Sequence, residues 1–327
     1  DSLTALGKGA LEANTTASNN TAIGASALEA NTTGSENTAL GKSALLSNTT
    51  GTENVSLGLN SLDANTTGSY NVAVGTSALG ANTTASNNTA IGTNALVANT
   101  TGDTNVAVGA NALDANTTGS SNVAVGKSSL GANTTADSNV AVGYDSLALN
   151  TTGAGNTAVG RDTLLYNTTG ASNTAIGKDA LKGVSTGATS SNNVAIGLSS
   201  LIAVTTGGTN VAVGNYSMAA MTTGARNVAV GYAALDAAST TSDNTAIGYD
   251  ALTATTSGYS NVAVGKDALK ANTEGQSGVA VGADAATSNL TGHYVTAIGF
   301  EAAKNTNASA NVCVGGLALT TNTTGAY

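Results

Sequence analysis

Proline and tryptophan are absent from this 327-residue chain, and cysteine and histidine occur once each, as Cys313 and His293. Aromatic residues make up 3% and charged residues 9%, against about 25% charged in a typical soluble protein. A compact globule built on an aromatic core is excluded by that composition. One histidine cannot supply a catalytic dyad or a histidine metal cluster, so the chain is read as a non-enzyme with no cofactor and no metal. Cys313 stands where an alanine otherwise recurs, which makes it a small buried residue. The net charge of -9 comes without any cluster of Lys and Arg, so no nucleic-acid partner is expected. No apolar run approaches the roughly 20 residues of a membrane span, and no signal peptide is evident.

What the chain does have is a period. The pentapeptide Asn71-Val72-Ala73-Val74-Gly75 returns as N-[VT]-A-[VIL]-G, with few exceptions, about every 17 residues. Aligned on its glycine, residues 1–327 read as a single continuous array with units starting at 3, 20, 37, 54, 71, 88, 105, 122, 139, 156, 173, 193, 210, 227, 244, 261, 278, 295 and 311. Fixed periodicity overrides the length-based expectation of two ordinary domains. A 17-residue unit is too short for a strand, a helix and two connections, so the fold expected is an all-β parallel solenoid of 19 coils.

The repeat columns define that coil. Columns 1 to 5 read as a strand, with Val or Thr in column 2 and Val, Ile or Leu in column 4. Column 4, from Leu6 to Val314, is assigned to the interior. Column 3, on the opposite face, is alanine in 17 of 19 units, with Ser56 and Cys313 the departures. Column 5 is glycine in all 19, implying a positive φ or a backbone contact with no room for a Cβ. Columns 7 to 11, as in Ser26-Ala27-Leu28-Glu29-Ala30, read as a second strand whose column 9 leucine is the second core file. Columns 12 to 17, N-T-T-G and two variable residues, have the composition of a turn. A three-residue insertion is placed near Ala188 to Asn192 and a deletion around Asn305 to Ala310.

Burying the column 4 and column 9 side chains is worth about 3 to 6 kcal/mol per coil, whereas ordering 17 backbones costs on the order of 17 to 34 kcal/mol. One coil cannot fold alone. Columns 1 to 5 carry no charge in any unit, so both faces of that strand are expected to be covered, the alanine face by another chain.

The N-V-A-V-G and N-T-A-I-G pentapeptides, each followed by a small residue and Leu, resemble the repeats of YadA-like trimeric autotransporter adhesin heads. They are also similar to the T-T-G-x-x-N-T-A-I-G-x-x-A-L arrays of phage tail fibres and related bacterial surface proteins. The resemblance spans essentially the whole chain. It implies a left-handed β-roll associated as a homotrimer. The unit here is longer than in those heads because N-T-T-G-x-x makes a longer corner, and no stalk, membrane anchor or chaperone-like terminal domain is recognised.

Candidate sites follow from the columns. The sequon N-T-T recurs at Asn14, Asn31, Asn48, Asn65, Asn82, Asn99, Asn116, Asn133, Asn150, Asn167 and Asn322, with N-x-[ST] variants at Asn19, Asn54, Asn87, Asn215, Asn289 and Asn307. Two readings stand: N-glycosylation sites, or an asparagine ladder satisfying the backbone of stacked corners. Spacing favours the ladder, since equivalent positions lie one coil apart. Thr15-Thr16 and its counterparts raise ice binding, but adjacent strand residues point to opposite faces. The column 7 acids Asp145, Asp162, Asp179, Asp250, Asp267 and Asp284 lack a calcium-roll pattern and read as exposed. Lys178-Asp179 and Lys266-Asp267 read as poor partners because they are adjacent. Tyr144, Tyr232, Tyr249 and Phe300 read as scattered surface residues.

The expected role is that of an extracellular structural or adhesive fibre segment, an adhesin head or tail-fibre shaft at a cell or virion surface. Its partners would be copies of itself and a host surface or glycans. The alternative is the subunit of a glycan-coated filament that polymerises end to end; an ice-binding solenoid ranks below both. Both ends fall within the repeat without a polar cap, which suggests a fragment or capping by another copy.

Overall fold

The computed structural model describes residues 2–185 and 187–322. Among these residues there is no helix, and the fold is a parallel β-solenoid of 19 coils with one three-residue strand of the main sheet per coil. Two compact units are distinguished, Asp1–Asp162 and Thr163–Tyr327.

In the first unit, β1 (Thr4–Leu6) opens a series of strands at 17-residue spacing that ends with β10 (Thr157–Val159). Neighbours are parallel and in register: Thr4, Ala5 and Leu6 lie beside Thr21, Ala22 and Ile23. Like therefore stacks on like, alanine on alanine. In the second unit the series runs from β11 (Thr174–Ile176) to β18 (Thr296–Ile298), with β20 (Val312–Val314) as its last member. The two-residue strands β19 (Asn305–Thr306) and β21 (Thr321–Asn322) pair beside it.

The strand is turned the other way from the sequence expectation. Column 3 is the interior file: Ala22, Ala39, Ala73 and Ala90 are fully buried, while columns 2 and 4 face outward, with Leu57, Ile91 and Ile176 exposed. The opposite wall explains why. Ser56, the one serine in column 3, bonds through its Oγ to the carbonyl of Ser61 at 2.8 Å, so column 3 lies against the backbone of column 8. A valine there would collide with the facing wall. Side chains no larger than those of Ser56 and Cys313 occupy this file, and the column 9 leucines, buried from Leu28 to Leu269, fill the remaining space.

Columns 7 to 11 are not a strand either. Column 7 and column 9 residues take left-handed φ angles, 58° at Ser26 and 51° at Leu28. The N–H of Ser26 donates back to Lys8 O at 2.9 Å, whereas Leu28 N–H donates forward to Ala44 O at 3.0 Å. Ala27 and Leu28 are both fully buried, so successive side chains here do not alternate between two faces as they would on a pleat. Each non-glycine residue in this region costs about 1–2 kcal/mol, and the position persists because leucine burial and inter-coil bonds over-determine it. Column 5 glycine satisfies both sequence expectations: Gly24 has φ +141°, and a Cβ on it would lie 2.3 Å from Gly41 O.

The insertion lies earlier than expected, between Gly183 and Ala188. Ala188 already accepts the Thr168 N–H at 2.9 Å, as a column 13 carbonyl does, and Gly183 and Gly187 have φ of 78° and 89°. The deletion falls within the expected stretch, since Asn311 Nδ2 reaches Ala308 O at 2.8 Å across a corner one residue shorter.

Candidate functional site

Each corner is built on two asparagines. Column 1 Asn20 and column 12 Asn31 both donate through Nδ2 to Gly34 O, at 2.8 and 2.9 Å. The Oδ1 of Asn20 accepts the backbone N–H of Asn37 at 2.8 Å, linking one coil to the next. Column 12 links coils by side chains alone. In the first unit Asn31, Asn48, Asn65, Asn82, Asn99, Asn116, Asn133 and Asn150 each donate to the Oδ1 of the asparagine one coil back, beginning with Asn14, at 2.8–3.2 Å. Column 1, asparagine in 16 of 19 units, is a ladder that sequence reasoning did not single out. Its uniformity was the available signal.

Of the sequon asparagines singled out from sequence, Asn31, Asn48, Asn65, Asn82, Asn99, Asn116, Asn133, Asn150 and Asn167 are fully buried, and Asn54 and Asn289 are buried too. Asn14, at the start of the ladder, and Asn322 are half-buried. Asn167 Nδ2 donates to Gly170 O at 2.9 Å, and Asn322 Nδ2 to Asn311 Oδ1 at 3.4 Å. An Nδ2 committed to two bonds inside a corner leaves no room for a sugar. The exposed variants are different: Asn19, Asn87, Asn215 and Asn307 lie on the surface, and Asn215 and Asn307 use Oδ1 to accept backbone N–H groups, leaving Nδ2 outward.

In the second unit the column 12 ladder is interrupted. Val204, Met221, Ala238 and Thr255 occupy four successive corners before Asn272 restores the amide. All four are buried. The column 15 carbonyls there are still satisfied by column 1, as by Asn210 Nδ2 on Gly224 O at 2.9 Å. Threonine column 13 supports the same corners, Thr32 Oγ1 donating to Thr49 O at 3.0 Å.

The outward strand face carries no charge. In the first unit column 4 is aliphatic throughout, from Leu6 to Val159, and column 2 is half valine and half threonine. The alanine file expected to meet another chain is internal, so the surface available to a partner is this Val/Thr and Val/Ile/Leu face.

The column 7 acids are more engaged than an exposed edge. Asp162 and Asp267 are largely buried. Arg161 pairs with Asp162 at 3.2 Å, Lys178 with Asp179 at 3.7 Å and Lys266 with Asp267 at 3.1 Å. Adjacent residues meet because the left-handed turn, unlike a strand, does not send them to opposite faces. Hydrogen bonds that the Lys270 ammonium donates to Asp250 and Asp267 hold it above its usual range. At Asp267 burial pushes the carboxyl up, but the bonds from Lys270 and Lys266 outweigh it and the net shift is downward. Burial pushes the carboxyls of Asp63 and Asp114 up. Among the described residues, no three of His, Cys, Asp and Glu converge as a metal site would require. The tyrosines are arranged rather than scattered: Tyr232 and Tyr249 stack at 5.3 Å, Tyr216 meets Tyr232 edge-on at 5.9 Å, and Tyr144 lies beneath Lys127.

No protein-family model matches the chain, and no curated protein matches it.

Proposed function

We propose that the chain is a structural and adhesive segment of an extracellular fibre whose copies associate, as a homotrimer, through the outward strand face. The observation that supports this reading is the charge-free pair of outward files. Full burial of an aliphatic side chain is worth about 1.5–3 kcal/mol, so covering the roughly one-third left exposed yields about 0.5–1 kcal/mol per residue. The first unit presents ten column 4 aliphatics and five column 2 valines, about 7–15 kcal/mol in all, comparable with the roughly 4–15 kcal/mol that association costs. A single coil would not associate; a run of coils would. Repetition of one surface also suits weak, multivalent attachment to a host surface.

Sedimentation of the native protein tests this. A trimer that dissociates to folded monomer in V106K/V108K is the expected result, and a stable wild-type monomer overturns the reading. A second reading, a glycan-coated filament, is favoured by the exposed sequons Asn19, Asn87, Asn215 and Asn307. Intact mass would then exceed 31.3 kDa, with sugar confined to those four positions.

A further inference from the structure

One corner of the second unit is open. In most coils the column 13 N–H donates to the column 13 carbonyl of the next, as Thr222 does to Ser239 O at 2.7 Å and Thr256 to Thr273 O at 3.0 Å. Among the described residues no such bond joins Ser239 to Thr256. A cleft of about 290 Å³ opens there, lined by Thr240, Thr241, Ser242, Asp243, Ser257 and Tyr259.

Two polar groups in its walls lack partners. Thr241 replaces the usual column 15 glycine or alanine, and its buried Oγ1 has no hydrogen-bond partner. The other is the N–H of Ser242. In several coils a column 16 side-chain acceptor caps the N–H of the preceding coil, as Ser69 Oγ does for Thr52 at 3.0 Å and Ser242 Oγ does for Ala225 at 3.1 Å. Tyr259 holds that position in the next coil and carries no acceptor at the reach of serine. The N–H of Ser242, a residue of the cleft wall, is left uncapped.

The remaining walls suit one ligand chemistry. Tyr259 is 47% exposed and offers an aromatic surface. Asp243, beside it, is fixed by a bidentate bond from Arg226 at 2.7 and 2.8 Å, which holds its carboxyl below the usual range. Thr240 and Ser257 add exposed hydroxyls. We propose that this cleft is a saccharide-binding subsite, in which a neutral pyranose packs on Tyr259 and its hydroxyls bond to Asp243, the Ser242 N–H and the exposed hydroxyls of Thr240 and Ser257. An apolar ligand would leave these donors and acceptors stranded, at about 1–3 kcal/mol each. An anion would meet the Asp243 carboxylate.

The test is titration of the full chain with short β-1,4-glucose, β-1,4-N-acetylglucosamine and α-1,2-mannose oligomers, followed by calorimetry and by saturation transfer. Binding of at least one oligomer is expected, weakened about tenfold or more in Tyr259→Ser. That variant restores the serine common in column 16, recaps Ser242 and closes the cleft, so thermal stability is expected to hold or rise. Asp243→Asn and Ser257→Ala are expected to weaken binding with the fold intact. Absence of binding by all three oligomers overturns the proposal, as does binding undiminished in Tyr259→Ser. Either result leaves self-association through the strand face untouched.

Discussion

Replacing Asn82 with alanine interrogates the amide ladder at an interior rung. Asn82 Nδ2 donates to Asn65 Oδ1 at 2.9 Å and to Ala85 O at 3.0 Å, and its Oδ1 accepts from Asn99 Nδ2 at 3.2 Å. Two of the three partners have other bonds to fall back on: Ala85 O keeps Asn71 Nδ2 at 2.9 Å, and Asn99 Nδ2 keeps Gly102 O at 2.9 Å. Asn65 Oδ1 does not, and it is stranded in a fully buried corner. Stranding one acceptor costs about 1–3 kcal/mol, and each further lost bond about 0.5–1 kcal/mol, for a total of about 2–5 kcal/mol. Native-state hydrogen exchange is the appropriate assay, because solenoid unfolding is a sum over repeats and a single global midpoint mixes them. The amides of Ala81 and Asn82 and their neighbours one coil away are expected to lose protection by that amount, with distant coils unchanged. Met221→Leu serves as the control, since its corner lies in the apolar run and a volume-conserving exchange costs under about 1.5 kcal/mol. A loss below about 0.5 kcal/mol in Asn82→Ala would refute the reasoning.

Orientation of the strand is tested by a pair of substitutions. Ala107→Val forces two methyl groups against the column 8 wall and is expected to cost at least about 1–3 kcal/mol, whereas Val108→Ala, on the outward face of the monomer, costs under about 1 kcal/mol; chemical denaturation reversing that order would restore column 4 to the interior. Asp63→Asn is expected to stabilise modestly at neutral pH, because burial raises the Asp63 carboxyl and so disfavours its charged form in the folded state. The sign follows from linkage: with a raised folded pKa, the native state gains on the unfolded one as pH falls through that pKa. The variant's advantage should therefore vanish in acid, where the wild-type carboxyl is itself neutral, and an advantage independent of pH would exclude this cause.

The period, the fully buried column 9 leucines and the glycine corner were legible because each rests on a column's uniformity and a single physical demand. Strand orientation was not. Column 4 is bulkier than column 3, and a larger residue is normally the buried one; only the closeness of the facing wall, visible at Ser56 and Ser61, reverses the assignment. The second strand misled for a different reason, since a leucine file at column 9 signals burial without saying whether a pleat or a left-handed turn delivers it, and Ala27 beside Leu28 is as fully buried as the leucine. A hint was present in column 7, which is Gly, Ser, Asn or Asp in 15 of 19 units, a set that includes the residues most tolerant of positive φ. Leucine at positive φ has no such signature. The open corner at Thr241 and Tyr259 was illegible because it depends on a hydrogen bond that fails to form between two coils.

The left-handed leucines bear on how such a chain assembles. A segment with φ near +50° at Leu28 and again at Leu45 has no local reason to adopt that shape in isolation, so a lone coil gives a poor nucleus. An existing coil changes this, because its exposed N–H and C=O groups and leucine side chain form a mould into which the next 17 residues fit. Within either unit, assembly is therefore a copying process. The first coils to form are slow and error-prone, each later one is templated by a finished surface, and the shape of a coil is inherited from its neighbour rather than specified afresh by its own residues.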